Sequence, residues 1–137
     1  VYTDIKIPEI AKVGEVLSFD PSNTIKVIRA RNPYDPNVFG VVVLDSFGQK
    51  RIAIGGEVDV LIDKSLLFFE AGVWLVTSGS TGRAMPLEEG FPLKAVVIGI
   101  TLESWSSDKN DSIYTVKTFL TPGERITPKK HLPSRDE

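Results

Sequence analysis

From the first residue, apolar and polar positions alternate: Val1, Thr3, Ile5 and Ile7 share one side, and Tyr2, Asp4 and Lys6 the other, until Pro8. A period of two puts successive side chains on opposite faces of a strand, so this segment reads as a strand with one apolar face. Gly14 opens a second run, EVLSF, which the cluster Asp20-Pro21-Ser22-Asn23 closes as a turn. TIKVIRAR follows, then the turn-rich stretch Asn32–Asn37. The run VFGVVVL is almost continuously apolar and suits a strand covered on both faces. Ser46-Phe47-Gly48 turns the chain into RIAI, and Gly55-Gly56 between RIAI and EVDVLID predicts a hairpin. Lys64–Ala71 is compatible with a buried turn or a short helix. Beyond it lie VWLVT, the small-residue loop Ser78–Gly82, KAVVIGITLESW, the polar loop Ser106–Asp111, and SIYTVKTFL.

No stretch sustains the 3.6-residue apolar period of an amphipathic helix. Short β-like runs separated by Gly, Pro, Asn and Asp predict an all-β fold: an antiparallel β-sandwich or barrel, jelly-roll-like, of about 8–10 short strands. The final segment, TPGERITPKKHLPSRDE, is rich in proline and charge with little apolar content, and predicts an extended C-terminal tail. Residues 1–8 are then an N-terminal strand, 9–121 the sandwich core and 122–137 the tail.

Composition narrows the chemistry. The chain has 137 residues, 42% of them hydrophobic, a formal net charge of −2, one His and no Cys. One domain with a real core is expected, while disulfide scaffolds, zinc fingers and thiol nucleophiles are excluded. Near-neutral charge gives no electrostatic footprint for nucleic acid, and no apolar run approaches the ~20 residues of a membrane helix. With 15 Val and 12 Ile against 6 Ala, the composition favours pleated surfaces. Few thermolabile side chains and nine prolines fit a thermophile protein. A start at Val1 fits a processed secretory precursor.

Candidate catalytic groups are sparse. VTSGSTGRAMP resembles the phosphate loop of adenylate-forming enzymes, but it precedes no predicted helix, so an exposed turn is the expectation. His131, the only imidazole, lies in the tail, and the pairs Glu88-Glu89 and Asp136-Glu137 sit in solvated contexts. No catalytic residue and no cofactor are expected. The loops Asp20–Asn23, Asn32–Asn37 and Asp108–Asp111 hold oxygen ligands suited to a structural calcium, although turn chemistry accounts for the same residues and no site is nominated. Asn110-Asp111-Ser112 is a glycosylation sequon, which makes Asn110 a candidate acceptor in a secreted chain. Trp74, Phe68 and Phe69 are expected in the core, and Trp105 and Tyr34 beside loops, as core or loop anchors.

Four segments, GEVLSFDP, ARNPYDPNVFGVVV, FEAGVWLVTSGSTGRAMP and KAVVIGITLES, together resemble a β-rich module of secreted bacterial surface proteins and phage tail-fibre-like appendages. That module has a Pro-Tyr-Asp turn before a Val-Gly-Val strand and a Pro-Gly-Asp-Leu-Leu-Thr-Ser step. The likeness covers approximately residues 14–120 and departs at Val73, where the module favours Asp, and at Ile100, where it favours Lys. It implies an extracellular, cell-surface or virion structural role and brings no catalytic residues. Tubule-forming proteins of hyperthermophilic archaea are a related setting.

These readings converge on a structural subunit that self-assembles into an extracellular filament, tubule or virion appendage. The expected device is donor strand complementation. Val1, Thr3, Ile5 and Ile7 would add to an exposed sheet edge of a neighbouring copy, and removing residues 1–8 would leave folded monomers. The alternative for the same residues is an edge strand of their own domain. The alternative function is a carbohydrate- or receptor-binding module on a larger fibre, with Tyr34, Trp105 and acidic loops forming its site.

Overall fold

The computed structural model describes residues 2–3, 5–88, 94–107 and 114–127. Among the described residues, twelve strands and no helix form. The first sheet holds β1 (Tyr2–Thr3), β2 (Val16–Asp20), β3 (Asn23–Arg29), β4 (Val38–Leu44) and β5 (Lys50–Ala53), in the spatial order β1-β5-β4-β2-β3. The second holds β6 (Gly56–Leu61), β8 (Trp74–Thr77), β9 (Ala84–Pro86), β10 (Ala95–Thr101) and β12 (Thr115–Ile126), in the order β6-β12-β10-β8-β9. β7 (Phe68–Phe69) and β11 (Trp105–Ser106) make a small two-stranded ribbon. All strand pairs are antiparallel, and one parallel bridge, Ile62–Ala84, touches the two margins of the second sheet together. The sandwich is thus the form realised, without barrel closure.

Strand alternation explains why so many consecutive residues are buried. Val16, Val41 and Ala53 point inward to meet Val60, Leu75 and Ile98 of the second sheet in the main core. Their chain neighbours Leu17, Val42 and Ile52 point outward, yet each is 0% exposed. They are buried because Ile5, Ile7 and Ala11 lie over the outer face of the first sheet and form a second cluster with them. On the far side, Val76, Ala95 and Val97 are covered by Tyr34, Trp74, Met85, Leu87 and Ile126. The reading of VFGVVVL as a doubly covered strand therefore holds, and the cover on its outer side is the N-terminal segment.

Gly99 marks an irregularity in the second sheet, where the register between β10 and β12 shifts between Val97 and Gly99. A Cβ there would run into the carbonyl oxygen of Phe119 and the methyl of Thr118, so the close crossing requires glycine.

Three expectations are corrected. Gly55-Gly56 joins strands of different sheets and is not a hairpin: β5 is already paired on both sides, by β4 and β1, so β6 has no free edge to join. The tail does not begin at residue 122. Glu124, Arg125 and Ile126 pair with Val97, Val96 and Ala95, which makes 121–126 the far half of β12. The strands also divide by chain half between the sheets, with β1–β5 in one, whereas a jelly roll passes successive strands back and forth. The segment Lys64–Ala71 resolves as turns around β7.

Candidate assembly surface

The N-terminal segment docks in two ways. Tyr2 and Thr3 pair with Ala53 and Ile52, adding an edge strand to β5. Arg51 sits over the Tyr2 ring, 5.0 Å from its centre, an arrangement favoured by the ring's negative face. Residues 5–11 then leave the ladder and cross the outer face of the first sheet, where Ile5 and Ile7 pack half-buried on Leu17, Val27, Val42 and Ile52. The Nζ of Lys50 donates to the Ala11 carbonyl at 2.6 Å and ties down the end of the strap. Of the expected interface residues, Thr3, Ile5 and Ile7 therefore serve their own domain in this chain, the second of the two arrangements the sequence allows. Val1 lies outside the described residues.

Immediately after the strap comes an ion pair that the sequence reading missed. Glu15 is 3% exposed. Arg29 grips its carboxylate with two hydrogen bonds, Nε to Oε1 at 2.9 Å and Nη2 to Oε2 at 2.7 Å. The backbone N–H of Lys12 donates to the same Oε1 at 2.8 Å. The pair holds the Arg29 guanidinium more firmly protonated than usual, chiefly through the hydrogen bonds to Glu15. The loop Ser78–Gly82 closes over this carboxylate: the Gly82 N–H donates to the Ala30 carbonyl, and the Gly82 carbonyl accepts from Val16 N–H. Ser78 and Gly82 are buried, so the loop is a clasp and only Gly79 and Thr81 are exposed. No signal in the sequence links Glu15 to Arg29, because the two approach only when β2 and β3 pair.

The other end of the clasp is pinned by Asp63. Its carboxylate accepts from Ser65 N–H at 3.0 Å, from Ser65 Oγ at 2.9 Å and from Ser80 Oγ at 3.2 Å. Those hydrogen bonds, led by the Ser65 N–H, hold its pKa below the ordinary carboxylate value despite partial burial. Arg83 Nη1 donates to the Ile62 carbonyl at 2.8 Å. The Ser78 and Ser80 hydroxyls and the Gly82 backbone are thus committed within the chain.

Oxygen-rich loops use their carboxylates on their own backbone. Asp20 accepts from the N–H and hydroxyl of Ser22, and these bonds lower its pKa. Asp35 accepts from Asn37 N–H at 2.8 Å. Among the described residues, no group of three or more His, Cys, Asp or Glu side chains is arranged to hold a metal ion. The loop Asp108–Asp111, with the sequon residue Asn110, lies outside the described residues, as do His131, Glu89, Asp136 and Glu137.

Among the aromatics, Phe68 departs from expectation. Trp105 is buried at 3% exposure and stacks on Phe69 with ring centres 5.7 Å apart, so it is a core residue, one of the two placements expected for it. Phe68, expected in the core, faces outward because it alternates with Phe69 on β7. Tyr34 takes a left-handed backbone conformation, φ 54°. Its hydroxyl accepts from Glu88 N–H at 3.1 Å, while its ring packs on the outer cluster of the second sheet. Trp74 is half-buried beside it.

Comparison with protein-family models, with curated proteins and with solved structures gives no match. The case for function therefore rests on the geometry of the strap, the sheet edges and the loops.

Proposed function

We propose that this chain is a structural subunit that assembles with copies of itself outside the cell or on a virion, exchanging its N-terminal segment between neighbours. The observation that carries this reading is the strap's dual role. Among the described residues it holds to the sheet ladder by two residue pairs, yet it supplies Ile5, Ile7 and Ala11 to a cluster that keeps Leu17, Val27, Val42 and Ile52 from water. A cover of that kind contributes the same contacts whether it comes from its own chain or from a neighbour. Exchange therefore costs little in contact energy and is driven by concentration. The edge of β5 occupied by β1 is the place a donated strand takes. The likeness of GEVLSFDP and ARNPYDPNVFGVVV to modules of surface and fibre proteins favours the same reading and a non-enzymatic role.

The binding-module alternative loses its proposed platform, since the Trp105 ring is buried and Tyr34 is engaged in packing. Light scattering and negative-stain microscopy of the chain and its Ile5→Asp variant test the proposal. The parent is expected to form extended particles, and the variant, with a charge on the exchanged face, to remain small while keeping its β spectrum. Unchanged polymerisation of a folded Ile5→Asp chain contradicts strand exchange.

A further inference from the structure

Two grooves, one beside β3 of the first sheet and one beside β6 of the second, carry opposite charge. The first, about 750 Å³, runs between residues 6–10 and β3. Among the described residues β3 pairs only with β2, which leaves its outer backbone edge open along most of its length. Ile25 and Ile10 line this groove and are 82% and 69% exposed. Lys6, Lys26 and Arg31 stand around them, with Glu9 the acid in the lining and Asp20 near enough to Lys26 and Arg31 to feel their charge. Arg29 also lines the groove but is committed to Glu15.

The second groove, about 370 Å³, follows the edge of β6 where it passes β1, β4 and β5. Among the described residues β6 pairs only with β12; its far end is tied by Leu61 N–H to the Gly14 carbonyl, which leaves Gly56–Asp59 as open edge. Its charged lining is Glu57 and Asp59, with Lys117 of β12 directly opposite Asp59 on the other side. Tyr2, Val13 and Leu44 supply exposed apolar surface beside these acids.

We infer that the β3 edge of one copy receives the β6 edge of the next, forming a head-to-tail contact between copies. An edge lysine blocks pairing with an apolar or basic strand but favours an acidic one, so Lys26 and Arg31 select for Glu57 and Asp59. Exposed apolar side chains on both sides supply area, and open ladder positions supply direction. Because the two surfaces are different, the contact is heterologous and repeats without closing unless a rotation brings it into a ring. The inference rests on the chain's being a self-assembling subunit, but not on exchange of the N-terminal segment.

Charge reversal tests it on the full chain. Sedimentation is to be followed for the parent, for K26E/R31E, and for K26E/R31E/E57K/D59K, at low and high salt, with thermal melts confirming that each folds. The parent is expected to associate more weakly as salt rises. K26E/R31E is expected to weaken association roughly tenfold or more, and the fourfold variant to recover most of that loss. A folded K26E/R31E chain that associates like the parent overturns the edge contact and leaves self-assembly standing. Failure of the folded fourfold variant to recover also overturns it. A parent that stays monomeric at every concentration overturns both this inference and the reading beneath it.

Discussion

Glu15 and Arg29, fourteen positions apart in the chain, meet across the β2–β3 pair with Nε–Oε1 and Nη2–Oε2 distances of 2.9 and 2.7 Å. The Glu15 side chain is 4% exposed and that of Arg29 26%. Such a pair is costly to break from one side, because the remaining charge stays in a poorly solvated place. Arg29→Met is expected to lower stability by about 3–5 kcal/mol, and the double variant Glu15→Gln with Arg29→Met by clearly less, as neither charge is then stranded. Denaturant titration of the single and double variants reads the difference.

Gly82 depends on that carboxylate. Its φ is +74°, and a Cβ would stand 2.8 Å from the Glu15 carboxyl carbon. Gly48 has a similar φ of +76° but nothing within 4 Å. Gly48→Ala therefore measures the backbone cost alone, about 1 kcal/mol, and Gly82→Ala should exceed it by a further 1–3 kcal/mol. Equal effects at the two positions would show that the clasp is loose.

Asp63 makes part of the stability pH-dependent. Its folded-state pKa lies below the ordinary aspartate value because Ser65 and Ser80 donate to the carboxylate. The unfolded state thus binds the proton more readily, and the contribution is complete above the unfolded value and disappears as pH falls through the folded one. Asp63→Asn is expected to flatten the acid limb of the thermal midpoint against pH while changing the neutral value less steeply. Melts at a series of acid pH values check it.

Removing residues 1–8 uncovers Leu17, Val27, Val42 and Ile52, which the strap otherwise helps to bury. Full burial of one such side chain stabilises by about 1.5–3 kcal/mol, so a marked fall in Tm and binding of an apolar dye are expected. A peptide of residues 1–8 added in trans should restore part of the Tm by mass action. Recovery shows that the cover need not be covalently attached to the body it covers.

Cutting the chain after Leu120 removes the pairing of Glu124, Arg125 and Ile126 with β10. That truncation is expected to lower Tm by several degrees or abolish the cooperative transition, whereas a cut after Thr127 retains every described pair of β12. Calorimetry of the two truncations separates strand from tail.

Much of this architecture is legible in the sequence because it follows from local periodicity. The doubly apolar VFGVVVL and the turn at Asp20–Asn23 each appear where the pattern puts them, whereas of the strand expected over residues 1–8 only Tyr2 and Thr3, among the described residues, join a ladder. Pairing partners are a different matter. Gly55-Gly56 has hairpin chemistry, but β1 takes the edge of β5 that a hairpin would fill, and that competition is invisible until distant segments meet. The far half of β12 was obscured by Pro122 and Gly123, which read as the start of a tail although they lie at an irregularity opposite β10. No motif links Glu15 to Gly82; their association follows from the fold and cannot precede it.

Tyr2 and Ala53 are directly opposed in the β1–β5 pair, so cysteines placed at both come within disulfide reach. The chain has no other cysteine. Oxidation of assembled Y2C/A53C protein, followed by denaturing non-reducing electrophoresis, shows whose β5 each arm occupies. Exchange between copies predicts a ladder of covalently linked multimers that collapses to one band on reduction. Assembled particles that yield only internally bridged single chains would mean that every arm stays at home, and strand exchange would have to be abandoned.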